Sequence, residues 1–132
     1  MQLTEFRAKW AAISADGSRI SYFQMADGRW RIGIVSSDGT SVLQRLDAPA
    51  DLKYSTVHWS PDNRALFYIS AIGNVGNVRL LLFDGTTKPL TTFTSHWLSD
   101  FSLSRDGKRL AVTRSQSLSD VVLLHSTPKT QE

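Results

Sequence analysis

Apolar residues in this chain come in short runs separated by clusters of Ser, Pro, Asp, Asn and Gly. The clearest case is Val57-His58-Trp59, then Ser60-Pro61-Asp62-Asn63, then Arg64-Ala65-Leu66-Phe67-Tyr68-Ile69-Ser70. Serine and aspartate side chains accept hydrogen bonds from nearby backbone N–H groups, proline fixes its own φ, and asparagine tolerates a left-handed backbone. The four residues therefore predict a tight reversal between two antiparallel strands. The same pattern is written at Ile13-Ser14-Ala15-Asp16-Gly17-Ser18-Arg19-Ile20 and at Leu103-Ser104-Arg105-Asp106-Gly107-Lys108-Arg109-Leu110. Asp16, Asp62 and Asp106 stand 46 and 44 residues apart, a period that means a solenoid, a propeller or an array.

Between these markers the chain divides into four-strand units. The first is predicted as Lys9–Ser14, Arg19–Met25, Trp30–Val35 and Ser41–Leu46, with turns at Asp16-Gly17, Asp27-Gly28 and Asp38-Gly39. The second is Ser55–Trp59, Ala65–Ser70, Asn77–Phe83 and Lys88–Phe93, with Asp84-Gly85 in the turn that Asp38-Gly39 holds one period earlier. The third is Ser99–Leu103, Lys108–Arg114 and Asp120–His125, followed by a polar tail from Ser126 to Glu132 and no fourth strand. Gln2-Leu3-Thr4-Glu5-Phe6 matches Pro89-Leu90-Thr91-Thr92-Phe93, so the chain opens on the last strand of a unit. No sustained 3.6-residue apolar stripe occurs, and a four-strand unit of this period has the size of a propeller blade. Runs such as Leu80-Leu81-Leu82-Phe83 and Val121-Val122-Leu123-Leu124 suit strands buried on both faces. The expected organisation is all-β: a single propeller segment over 1–132, with blades at about 7–46, 54–93 and 98–125, an orphan outer strand at 2–6 and a tail at 126–132.

Composition narrows the function. The 132 residues carry 41% hydrophobic and 20% charged side chains, ordinary for a folded domain. Nothing approaches a membrane-spanning apolar run and the first residues lack a signal-peptide core, so no membrane insertion is expected and export would need a segment upstream. The compartment stays open, cytoplasmic or periplasmic. With no cysteine there is no disulfide and no thiolate metal site. The net charge of +3 comes from basic residues scattered singly among acidic ones, without the clustered basic face of nucleic-acid binding.

Trp59-Ser60-Pro61-Asp62-Asn63-Arg64-Ala65-Leu66, Leu103-Ser104-Arg105-Asp106-Gly107-Lys108-Arg109-Leu110 and the terminal Leu90-Thr91 resemble the repeat of TolB-like (WD-like) propellers. The second and third units, through Ser117-Leu118-Ser119-Asp120-Val121-Val122-Leu123-Leu124, are more similar to the C-terminal blades of propellers in bacterial winged-helix regulators and serine/threonine kinases. The resemblance implies a regulatory, signalling module. Three departures stand out: Ile13-Ser14-Ala15 and Leu103-Ser104-Arg105 replace Trp-Ser-Pro, and Asn63 stands where glycine is usual. Propellers have about four blades or more. Three imply a fragment of a longer chain, a homodimer closing a six-bladed ring, or an open monomer, and in a ring the orphan strand can complete a partner's third blade.

Candidate chemistry is sparse. His58, His96 and His125 lack the short spacing of a metal site, and no G-x-S-x-G nucleophile elbow occurs, so neither metal, cofactor nor catalytic residue is expected. Ser14, Ser60 and Ser104 beside Asp16, Asp62 and Asp106 recur in every unit and read as turn-makers. Function is expected where repeats disagree: the short Asp-Gly turns occupy one rim, and the unlike connections Asp47–Tyr54, Ala71–Asn77, Thr94–Leu98 and Ser115–Ser119 share the other. Lys53, Tyr54, Asn74, Asn77, His96, Trp97 and Arg114 are the candidate binding residues there, with Trp97 the foremost aromatic contact. The function expected is a non-catalytic module binding a protein or small polar ligand. Alternatives are an accessory propeller of a hydrolase or peptidase and a structural oligomerisation unit.

Overall fold

The computed structural model describes residues 8–53, 57–116 and 119–125, with backbone only at 119, 120 and 125. Eleven strands form three antiparallel sheets, and no helix occurs among the described residues. The first sheet is β1 (Ala8–Ile13), β2 (Arg19–Ala26), β3 (Arg29–Ser36) and β4 (Val42–Asp47), in chain order. The second is β5 (His58–Trp59), β6 (Ala65–Ile72), β7 (Val75–Leu82) and β8 (Thr87–Pro89), and the third is β9 (Trp97–Leu103), β10 (Arg109–Ser115) and β11 (Ser119–His125). Each sheet is a meander, as the alternation of apolar runs and turn residues requires. The repeat positions become cross-strand partners: Ile13 faces Ile20, Trp59 faces Leu66, and Leu103 faces Leu110.

The sheets stack, and the core lies in the two gaps between them. Phe23, Ile32 and Ile34 of the first sheet meet Trp59, Leu66, Tyr68 and Leu81 of the second. Phe67, Ile69 and Val78, from the other face of the second sheet, meet Leu98, Phe101, Leu110 and Val112 of the third. Alternate residues of β6 thus serve opposite gaps, which is why Ala65–Ser70 is buried without a polar alternation. Each large side chain so buried contributes about 1.5–3 kcal/mol.

Several boundaries differ from the sequence expectation. The span Ala71–Asn77 is a tight hairpin: β6 runs on to Ile72, which pairs with Val75, and only Gly73-Asn74 turn. The second glycine of Gly73-Asn74-Val75-Gly76 is a strand residue, and it lets a neighbouring backbone in: a Cβ on Gly76 would lie 2.5 Å from both the amide nitrogen and the Cβ of Leu98. The last strand of the second blade ends at Pro89, because proline has no N–H to continue the ladder. Leu90 and Thr91 then both donate to the Val78 carbonyl, at 2.9 and 3.2 Å. The first strand of that blade is split. His58–Trp59 forms one piece and Leu52, bridged to Ser70, the other, with 54–56 outside the described residues. Gln2–Phe6 and the tail at 126–132 also lie outside them.

Candidate functional site

Successive strands reverse, so turns alternate between two rims. The β1–β2, β5–β6, β9–β10, β3–β4 and β7–β8 turns share one, the turn rim. The β2–β3 and β6–β7 hairpins, the β10–β11 link and the passages between blades share the other, the connection rim. The Asp27-Gly28 turn therefore sits opposite its Asp-Gly counterparts, correcting the assignment of all such turns to one rim.

On the turn rim every motif side chain is consumed locally. Ser14, Ser60 and Ser104 donate their hydroxyls to Asp16, Asp62 and Asp106 at 2.7, 2.6 and 2.6 Å. The same oxygens accept the backbone N–H groups of Arg19, Ala65 and Arg109 at 2.9, 3.0 and 2.9 Å. Ser36 and Asp38 repeat the arrangement in the β3–β4 turn. Hydrogen bonds from the Ser18 backbone first, then from Ser14, lower the Asp16 pKa from 3.8 to about 2; those from Ser36 first, then from the Thr40 backbone, do the same at Asp38.

The departures from the repeat lock the blades together. Asn63, at φ 59°, accepts from the Asp16 N–H through its side chain at 3.3 Å and from Arg19 through its carbonyl at 2.6 Å. A glycine there would keep the turn and lose the first bond. Trp59 Nε1 donates to the Ala12 carbonyl at 3.1 Å, and the Arg19 guanidinium lies 4.8 Å from the Trp59 ring. Pro61 packs on Gly107 of the third blade. The Ser-Pro-Asp-Asn turn is thus the fastener of all three blades.

On the connection rim the candidate residues separate into two groups. Asn77, His96 and Arg114 hold the passage into the third blade. The Asn77 amide accepts from Thr91 Oγ1 at 2.8 Å and from the Phe93 N–H at 2.6 Å, and donates to the Phe93 carbonyl at 3.0 Å. His96, at φ 74°, has one ring nitrogen 2.6 Å from Ser95 Oγ and the other 2.6 Å from Gln116 Oε1. Arg114 is only 5% exposed, stacks 3.9 Å from the Phe93 ring centre and donates to the Ser95 carbonyl at 2.6 Å. Their spacing in sequence gives no sign of this internal engagement.

The second group sits where the passage into the second blade meets the start of β9 in the third. Lys53 donates to the Leu98 carbonyl at 3.3 Å, and its ammonium lies 4.4 Å from the centre of the Trp97 ring. Farther along the inner strands, toward the turn rim, are Asp100, which is exposed and which sequence reasoning passed over, and His58, which the sequence set aside as structural and whose ring is 4.7 Å from that of Phe101. Burial lowers the pKa of both Lys53 and His58, and the Asp100 charge works against it in each. The signal for Asp100 was its position, on the same inner strand as Trp97. Asn74 stands exposed at the tip of the β6–β7 hairpin, apart from this group, and Tyr54 lies outside the described residues.

No family model matches the sequence, and no curated protein matches it. Solved structures do. The chain is similar to TolB from Acinetobacter baumannii (22% identity, TM-score 0.70), over 95% of this chain and 32% of that one. A putative TolB from Agrobacterium tumefaciens aligns over 93% of this chain and 47% of its own, at 18% identity and TM-score 0.70. One of the prolyl endopeptidases solved in a study of inter-domain dynamics aligns over 93% of this chain and 21% of its own, at 23% identity and TM-score 0.67. The chain spans less than half the length of each, and at these identities the likeness concerns fold. The molecule has the architecture of a TolB-like β-propeller segment.

Proposed function

We propose that the chain is a non-catalytic interaction module that binds a protein or small polar ligand on the connection rim, at the boundary of the second and third blades. One observation carries this reading. Lys53, in the passage into the second blade, holds its ammonium over the Trp97 ring at the start of β9, with the Asp100 carboxylate on the same strand, whereas every Ser-Asp pair of the turn rim is closed on itself. Mixed charge beside a large aromatic suits a polar partner group with an apolar flank. The resemblance to C-terminal blades of bacterial winged-helix regulators and kinases supports a place in a regulatory protein.

The test is capture of partners by tagged chain, comparing wild type, Lys53→Glu/Trp97→Ala on the connection rim and Arg105→Glu on the turn rim. The reading expects the first variant to lose partners that the other two retain. Equal capture by all three overturns it. Partnership with a hydrolase or peptidase domain is the second reading, supported by the fold shared with a prolyl endopeptidase structure. Capture of such a domain by wild-type chain, with a rise in its activity, would favour that role.

A further inference from the structure

On the second blade a carboxylate sits between a phenol and a guanidinium. Tyr68 donates its hydroxyl to Asp51 at 3.2 Å, and Arg79, which faces Tyr68 across β6 and β7, lies 3.8 Å from the other oxygen of that carboxylate. Tyr22 holds the equivalent place in the first blade. It follows Ile20, which faces Ile13, by the same step that separates Tyr68 from Leu66, which faces Trp59. Because Phe23, Ile32 and Ile34 fill the gap toward the second blade, Tyr22 is on the opposite, outward face of the first sheet.

Across from Tyr22 the place of Arg79 is taken by Gly33, and Arg45 faces Gly33 from β4. A Cβ on Gly33 would overlap the Tyr22 ring at Cζ and lie 2.5 Å from its hydroxyl oxygen, so the glycine is what lets the phenol lie across β3. Tyr22 is 5% exposed, yet its hydroxyl has no hydrogen-bond partner among the described residues. A hollow of about 370 Å³ opens beside it, lined by Gly33, Arg45, Arg31 and Gln24 and closed at one end by the turn at Asp27.

The two arginines of the hollow differ. Arg31 is bracketed by Asp27 at 3.7 Å and Asp47 at 3.6 Å, so its charge is met. Arg45 is exposed and has neither an ion pair nor a hydrogen bond among the described residues. The Gln24 amide, facing Arg31 across β2 and β3, likewise lacks a partner among them. We propose that this hollow binds a small monocarboxylate, held by Arg45 and the Tyr22 hydroxyl as Asp51 is held by Arg79 and the Tyr68 hydroxyl, with a second polar group of the ligand on Gln24.

A single guanidinium without a carboxylate partner selects one negative charge rather than two, and its planar fork matches a carboxylate through two parallel hydrogen bonds. A buried phenol donating to the same group adds a charge-assisted bond where water screens it little. The size also fits, since sites for small ligands start at about 300 Å³. The hollow lies on the first blade, away from the proposed rim between the second and third, and the two can fail separately.

The probe is sodium lactate, added to the full chain at constant ionic strength and followed at the Gly33 amide resonance by two-dimensional NMR, with lactamide as its uncharged counterpart. Lactate is expected to shift Gly33 to saturation in the millimolar range, whereas lactamide leaves it in place. Arg45→Gln and Tyr22→Phe should each weaken lactate about tenfold or more, with the far-ultraviolet spectrum unchanged. Tyr22→Phe keeps the ring over Gly33 and removes the hydroxyl alone. Lys88→Gln on the turn rim should bind lactate as the wild type does. Overturning results are a shift that never saturates, equal binding of lactate and lactamide, or an unchanged affinity in either Arg45→Gln or Tyr22→Phe.

Discussion

The two rims use similar residues to different ends. On the turn rim, Ser60 and Asp62 bond first to each other and to the next few amides, so the turn is complete in itself and can be repeated in every blade. On the connection rim no two passages are alike: Leu52 bridges β6 before the second blade, whereas before the third an asparagine, a histidine and an arginine hold a curved backbone. A repeated solution marks a need common to all blades, and an unrepeated one frees a place for something particular to this molecule.

The contrast is broken most severely at the fastener of the turn rim. Trp59→Ala removes a buried indole from the first core and its bond to Ala12, and should cost about 3–5 kcal/mol in urea unfolding. Gly76→Val attacks the connection rim through the close approach of Leu98, and should cost about 1–3 kcal/mol by overpacking. Ser60→Ala leaves the buried Ala65 N–H without its side-chain acceptor, for a loss of about 1–3 kcal/mol. Lys53→Ala should change the unfolding free energy by no more than about 0.5 kcal/mol while abolishing partner capture. That split between stability and binding is what separates the two rims.

The smallest effect is in pH. Burial holds the His58 pKa below its ordinary 6.5, so the unfolded chain takes up a proton more readily between the folded value and 6.5. The stability this contributes is complete above 6.5 and is lost as the pH falls through that window. The urea midpoint should therefore decline on acidification from about pH 7.5 to about pH 5.5, and His58→Gln should flatten the decline. The turn aspartates act lower: for Asp16 and Asp38 the window lies between 3.8 and about 2, with stability lost as the pH falls through it.

The turn rim was readable in the sequence because its physics is local. Ser-x-Asp followed by Gly or Asn specifies its own hydrogen bonds within a few residues, and the 44–46 residue period placed three copies in register. The connection rim was readable only as irregularity. Nothing near Arg114 in sequence shows that it stacks on Phe93, and nothing near Asn77 shows that it receives Phe93, because both contacts depend on how the sheets meet. Gly73-Asn74-Val75-Gly76 misled for a related reason: the second glycine answers to Leu98 on another sheet, not to a turn. His58 and Asp100 join Lys53 and Trp97 only once β5 and β9 lie side by side.

Hydroxyl-radical footprinting of the chain with and without its captured partner tests the division between the rims most directly. The expected result is protection of Trp97, with Pro61 and the four Ser-Asp turns unchanged. Protection confined to those turns, with Trp97 as reactive as in the free chain, would contradict it.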